Sequence, residues 1–107
     1  MTDSVKVYDK LVRDKITKIL KAKGLHFRVH TIVSDLEFKL RLFDKLKEES
    51  KELFDNPDSI EEFADIIEVI RALKPFFPGW EERADRKKEE RGAYDDRVVL
   101  EYVKESA

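Results

Sequence analysis

Apolar residues recur along this chain in two rhythms, one helical and one alternating. From Asp14 to Lys23, Ile16, Ile19 and Leu20 keep a helical period, and Gly24 follows where a left-handed C-cap residue belongs. Phe27 and Val29 then alternate with His26, Arg28 and His30, which predicts a short strand over 26–32. Ser34-Asp35-Leu36-Glu37 is a capping-box start. It opens a long helix to about Phe54, with Leu36, Leu40, Phe43, Leu46 and Leu53 on one stripe. After the turn Asn56-Pro57-Asp58-Ser59, a third helix over Ile60 to Leu73 would bury Ile60, Phe63, Ile66, Ile67 and Ile70. Lys74-Pro75-Phe76-Phe77-Pro78-Gly79 breaks it, and a polar helix restarts at Trp80 or Glu81 and runs to Arg91 before Gly92. Arg97 to Val103 looks like a second strand, able to pair with the first. The expected fold is mainly α: an antiparallel helical bundle, one domain over 1–107, with a small two-stranded pairing of 26–32 with 97–103.

Composition narrows the function classes. The chain has 107 residues, 43% charged and 41% hydrophobic, with a formal net charge of -2. Interspersed, near-neutral charge argues against stable nucleic-acid binding, whose footprint is basic. No run approaches the apolar length of a membrane span, and the first residues, MTDSVKVYDK, lack the apolar core of a signal peptide. Cys is absent, which removes thiolate metal sites and a Cys nucleophile and fits a cytoplasmic location.

The informative chemistry is acidic. The second helix ends in Lys47-Glu48-Glu49-Ser50-Lys51-Glu52, and the third begins Glu61-Glu62-Phe63-Ala64-Asp65-Ile66-Ile67-Glu68. Glu49 and Glu52 are three apart, as are Glu62 and Asp65, so each pair shares a helical face. The short connection makes the helices antiparallel neighbours, able to bring two acidic edges into one groove. Glu49 is expected about 90° from the centre of its stripe. Carboxylates converging there need a cation, and Mg²⁺ suits oxygen ligands and phosphates, with Mn²⁺ the alternative. Lys45, Lys47 and Lys51 could help or face water. Spacing alone leaves the metal open, because ExxE is common in Glu-rich helices. A Ser59–Glu62 capping box would occupy Glu62, whereas a cap by Asp58 with Glu61 would release it.

An acidic signature and three further segments together carry a resemblance. EExxE, a short turn and ExxD resemble the metal-binding signature of the all-α nucleoside-triphosphate pyrophosphatases, the MazG superfamily. Lys10-Leu11-Val12-Arg13-Asp14-Lys15-Ile16 resembles the KLVRDKI opening of its small house-cleaning branch, related to phosphoribosyl-ATP pyrophosphohydrolase. Glu62 to Ile70 is similar to that branch's EELADVLEVI helix. Lys87-Lys88-Glu89-Glu90-Arg91-Gly92-Ala93-Tyr94 with Val98-Val99-Leu100 resembles its KxxERGGF-plus-strand ending. Thr17 stands where the branch has Pro, and Ala93 replaces its second Gly.

The resemblance implies that Glu49, Glu52, Glu62 and Asp65 hold Mg²⁺. It implies hydrolysis of a nucleoside triphosphate, ordinary or non-standard, to the monophosphate and pyrophosphate, in a homodimer or higher homo-oligomer. Glu48, Glu61 or Glu68 would orient the water. Phosphates need further cations: Lys10, Arg13 and Lys15 near the first helix, Lys87 and Arg91 on the fourth, and Gly92 beside them. Arg13 and Arg91 are preferred for their bidentate forks. Each basic residue also has a plain reading, as a solvated charge or a partner of the helix dipole. The competing function is a helical interaction or regulatory module that binds a nucleotide or protein without turnover. His26 and His30 read as one polar strand face, Phe76, Phe77 and Trp80 as packing residues, and no hydrolase triad is visible.

Overall fold

The computed structural model describes residues 4–105. It holds four α-helices among them: α1 (Ile16–Ala22), α2 (Asp35–Asp55), α3 (Ile60–Leu73) and α4 (Trp80–Arg91). A 3₁₀ turn over Lys74–Phe76 follows α3. No helix among the described residues is long and apolar enough to cross a membrane. The chain divides into two compact units, Met1–Phe76 and Phe77–Ala107.

Local chemistry sets the helix ends. The Ser34 hydroxyl accepts from the Glu37 N–H, and the Ser59 hydroxyl from the Glu62 N–H, each at 3.2 Å. Both hydroxyls thereby satisfy one of the N–H groups that a helix start leaves open. At the end of α1, Gly24 takes φ +73°, where a Cβ would be strained. The Leu25 N–H then reaches the Leu20 carbonyl and the Gly24 N–H the Lys21 carbonyl, the two bonds of a Schellman stop.

In the first unit, α2 and α3 fold back on each other across residues 56–59 and pack side by side. The seam is a small one. Leu42, only 3% exposed, meets Val69 and Leu73, with Leu11, Phe38, Leu46, Ala72 and Phe76 packed around them. The Phe38 and Phe76 rings meet edge to face, 5.8 Å between centroids.

This seam corrects the expected stripes. On α2 the packed positions are Phe38, Leu42 and Leu46, at helical spacing, and Glu49 continues the same face. Leu36 is 66% exposed, and Leu40 and Phe43 are also exposed, a third of a turn away. On α3 the seam runs through Val69, Ala72 and Leu73, with Ile66 and Ile67 half-buried, while Ile60, Phe63 and Ile70 are exposed. Each helix therefore carries two apolar faces, and the less continuous one makes the internal contact.

The strand pairing does not form among the described residues: 26–32 and 97–103 have no regular secondary structure. Val29, Val98, Val99, Leu100, Tyr102 and Val103 all stand exposed. A two-stranded pairing without an apolar layer beneath it is marginal in water, so alternation alone is not enough. Arg97 closes a turn onto the Tyr94 carbonyl with φ +56°, outside the extended region in which a strand would begin. In the second unit every described residue is exposed, α4 included.

Candidate metal centre

Glu49 arrives at the seam because it lies seven residues after Leu42 on α2, two helical turns along the same face. It is 7% exposed and is the one buried charged residue among those described. Glu52, one turn on, and Glu62, in the first turn of α3, meet it. One carboxylate oxygen from each of the three lies within 4.8 Å of the others. At that separation each ionised pair repels by about 3–4 kcal/mol at an effective dielectric of about 20.

Little offsets this repulsion. The Lys45 ammonium, one turn before Glu49, sits 3.4 Å from Glu49 Oε1 and 3.7 Å from Glu48 Oε2. Oε2 of Glu49 and Oε2 of Glu62 are buried without a hydrogen-bond partner. Burial pushes the Glu49 carboxyl above the usual glutamate range, and the neighbouring Glu52 adds to it, through a proton the two can share and through its charge. Lys45 opposes the shift, and Asp65 adds to it.

The capping question at α3 resolves in favour of a free Glu62. Ser59 is the cap, yet its own N–H donates to the Asn56 carbonyl at 3.0 Å. That bond takes the donor a reciprocal capping box would offer the Glu62 side chain. The backbone of Glu62 is thus capped while its carboxylate turns to the triad.

Asp65 stands beside the triad but outside it. Its Oδ1 accepts from Arg13 Nη2 at 2.8 Å. The neighbouring Lys10 ammonium donates to Glu48 Oε1 at 3.0 Å. This hydrogen bond holds Glu48 below the usual carboxylate range and raises Lys10 in return. Two further ties fix the segment that carries these cations. Leu11 packs against the core, and Arg41 donates to the Asp9 carbonyl at 2.8 Å and to its carboxylate at 3.3 Å. Asp9 itself adopts φ +42°, a conformation that Asp tolerates better than most residues.

The remaining candidates are not among the triad's carboxylates. Glu61 is exposed on the first turn of α3, and Glu68 pairs with Arg71 at 3.3 Å on the same helix. Lys15 is exposed at the start of α1. Lys87, Arg91 and Gly92 belong to the second unit and are exposed there. Gly92 ends α4: with φ +82° it donates to the Lys88 carbonyl at 2.7 Å. Sequence reasoning left Lys45 open and missed the Arg41–Asp9 tie. The spacing of Lys45 to Glu48 and Glu49, three and four residues, was a usable signal; the tie spans 32 residues and left none.

Chemically, a buried acid, two half-buried ones and two unpartnered oxygens make a donor set that fits a hard divalent cation. Comparison with protein-family models, curated proteins and solved structures returned no match.

Proposed function

We propose that the chain is a Mg²⁺-dependent nucleotide pyrophosphohydrolase of the MazG type, with Mn²⁺ able to substitute. The observation that carries this reading is the pair of buried, partnerless oxygens of Glu49 and Glu62 within one three-carboxylate cluster. Buried polar groups are normally satisfied, and an unmade contact at charged oxygens is costly enough to need a reason. An oxygen-seeking dication supplies one. The EExxE…ExxD spacing and the resemblance of the flanking segments supply the reaction.

In this reading Glu49, Glu52 and Glu62 hold the ion and Asp65 completes the set. A bound Mg²⁺ would polarise phosphate oxygens and acidify a coordinated water. Glu48, next to Glu49 in sequence and kept ionised by Lys10, is the preferred group to orient that water, ahead of Glu61 and Glu68. Lys10 and Arg13 take phosphate oxygens, with Lys15 nearby in sequence. Lys87, Arg91 and Gly92 belong to the same reading through the resemblance alone. The substrate is a nucleoside triphosphate, and water cleaves it between the α- and β-phosphates to the monophosphate and pyrophosphate.

A homodimer belongs to the proposal as well. Leu36, Leu40 and Phe43 on α2, with Ile60, Phe63 and Ile70 on α3, form apolar faces that a second copy would cover. The proposed setting is the cytoplasm, without membrane or stable nucleic-acid binding.

The test is a panel of ordinary and non-standard triphosphates, phosphoribosyl-ATP included, with pyrophosphate and orthophosphate measured separately. Mg²⁺-dependent pyrophosphate release is expected from at least one member. Glu49→Gln should lower it by at least the roughly 10–100-fold that losing even an outer partner of a metal ligand costs, with helical circular dichroism retained. No release from any member, with no heat of Mg²⁺ or Mn²⁺ binding, would leave the chain as a helical binding module.

A further inference from the structure

The acidic site already has cations on it, and they come from the chain itself. Arg13 holds Asp65 at 2.8 Å through a single nitrogen, and Lys10 holds Glu48 at 3.0 Å. Both reach over from the segment before α1, across 52 and 38 residues. Asp65 lies close enough to Glu49 to raise its pKa, and sits one helical turn from Glu62, yet it does not join the triad. Its oxygen is engaged elsewhere.

We infer that Arg13 is a resident counter-cation at the edge of this site, as Lys45 is on Glu49, and that a divalent ion exchanges with Arg13 for Asp65. The inference rests on the metal reading above and adds to it what the chain must give up when the ion enters. The acidic cluster is a site on more than its charge, since Glu49 is over nine-tenths buried with an oxygen that no donor reaches. An ion drawn to that oxygen would add Asp65 as a further anionic ligand, because hard dications gather carboxylates. A guanidinium bound to the same aspartate would then stand within a few ångströms of the dication, and like charges at that range repel.

The geometry favours release of Arg13 over disruption of the segment. Asp65 receives one hydrogen bond from Arg13, and the guanidinium is more than half exposed. The ties just before it in the chain do not involve its side chain: Lys10 on Glu48, Leu11 in the core, and Arg41 on Asp9. When the Arg13–Asp65 pair opens, the backbone stays and only the side chain swings. Arg13 is then an unoccupied fork beside a dication, an arrangement suited to a polyphosphate that bridges both. Arg13 is thus a positioning residue in the empty site and a binding residue in the filled one. The order of events follows: ion first, polyphosphate second.

Calorimetry with Mn²⁺ alone, then with inorganic tripolyphosphate on the Mn²⁺-loaded protein, tests this. Arg13→Gln should bind Mn²⁺ several-fold tighter than the unmodified chain, and tripolyphosphate about ten-fold more weakly. Removal of any nearby positive charge would favour a cation somewhat, so Lys10→Gln is the reference, and its gain in Mn²⁺ affinity should be smaller. In an Asp65→Asn background, Arg13→Gln should no longer tighten Mn²⁺ binding, since the contested ligand is gone. Circular dichroism on each variant confirms the helices. Equal or weaker Mn²⁺ binding by Arg13→Gln, or a gain that persists without Asp65, overturns the exchange while leaving the metal site standing. Absence of Mn²⁺ binding in every variant and in the unmodified chain overturns the metal reading itself, and the exchange with it.

Discussion

Two stretches of this chain are equally dense in glutamate and have opposite fates. The end of α2 reads KEESKELFD and α4 reads WEERADRKKEER, both dense in glutamate at helical spacing. On α2, a neighbouring helix packs against Leu42 and Leu46, so Glu49 is carried into the seam along with them. On α4 no described residue is buried, and Glu81, Glu82, Glu89 and Glu90 all stand in solvent. Spacing places carboxylates on one face; only an apposed apolar partner desolvates them. Desolvation is what raises the pKa of Glu49 and leaves its oxygen in want of a cation.

The comparison breaks most decisively at the seam's centre. Leu42→Ala should cost about 3 kcal/mol, the usual loss for a buried leucine. Leu100→Ala, at a residue 77% exposed, should stay within about 0.5 kcal/mol. Urea unfolding followed by circular dichroism measures both. Equal effects would mean that the described seam is not where the helical fold gains its stability.

A smaller effect, of opposite sign, is expected two turns along the same stripe. Glu49→Leu replaces a buried, partly unpaired charge by an apolar side chain of similar size. Without divalent ions, it should stabilise the fold by about 1–3 kcal/mol near neutral pH, while removing metal binding. The matching change on α4, Glu89→Leu, has no buried charge to relieve and should leave unfolding nearly unchanged. Stability rising as ion binding disappears is the signature of a residue retained for function. A destabilised Glu49→Leu would argue instead that Lys45 and the seam need the carboxylate for the fold itself.

Much of the architecture was legible in the residues. The limits of α3, the cap at Ser34 and the Gly24 stop follow from capping chemistry, which acts within a few residues, whereas the cap at Ser59 and the restart at Trp80 were each one of two open readings. The acidic meeting of Glu49, Glu52 and Glu62 followed from spacing plus a short turn. The rotation of α2 did not. Leu36, Leu40 and Phe43 offer a cleaner apolar stripe than Phe38, Leu42 and Leu46, and a glutamate inside the second stripe counts against it in any purely apolar reading. The expectation that Glu49 sat beside the stripe erred for the same reason. The contacts of Lys10 and Arg13 were also hidden, because they span tens of residues and depend on how the segment before α1 lies. The alternating segments misled because side-chain rhythm records what a strand would need and carries no record of whether a layer exists beneath it.

The subtlest difference between the seam and α4 is a pH slope. Burial raises the pKa of Glu49 in the folded chain, so between the ordinary glutamate range and that raised value the folded state holds a proton the unfolded state has lost. Stability must therefore fall as pH rises through this window. Glu48 acts in the opposite direction: its pKa is lowered chiefly by Lys10, so its contribution is present above the ordinary range and is lost as pH falls through its folded value. Together they place the metal-free optimum of this pair near the ordinary glutamate range, with a decline on either side. Mg²⁺ should reverse the upper limb, because binding requires the ionised carboxylates and strengthens as Glu49 loses its proton. Urea unfolding from about pH 4 to about pH 7, with and without Mg²⁺, measures the slope against Glu49→Gln, whose amide does not titrate. The unmodified chain should lose stability across the upper window in chelator and gain it in Mg²⁺, whereas Glu49→Gln should do neither. Glu89→Gln on α4 should reproduce the unmodified curves in both buffers. If Glu49→Gln keeps the decline, the proton that governs it lies elsewhere, and desolvation at the seam is not what distinguishes these two acidic helices.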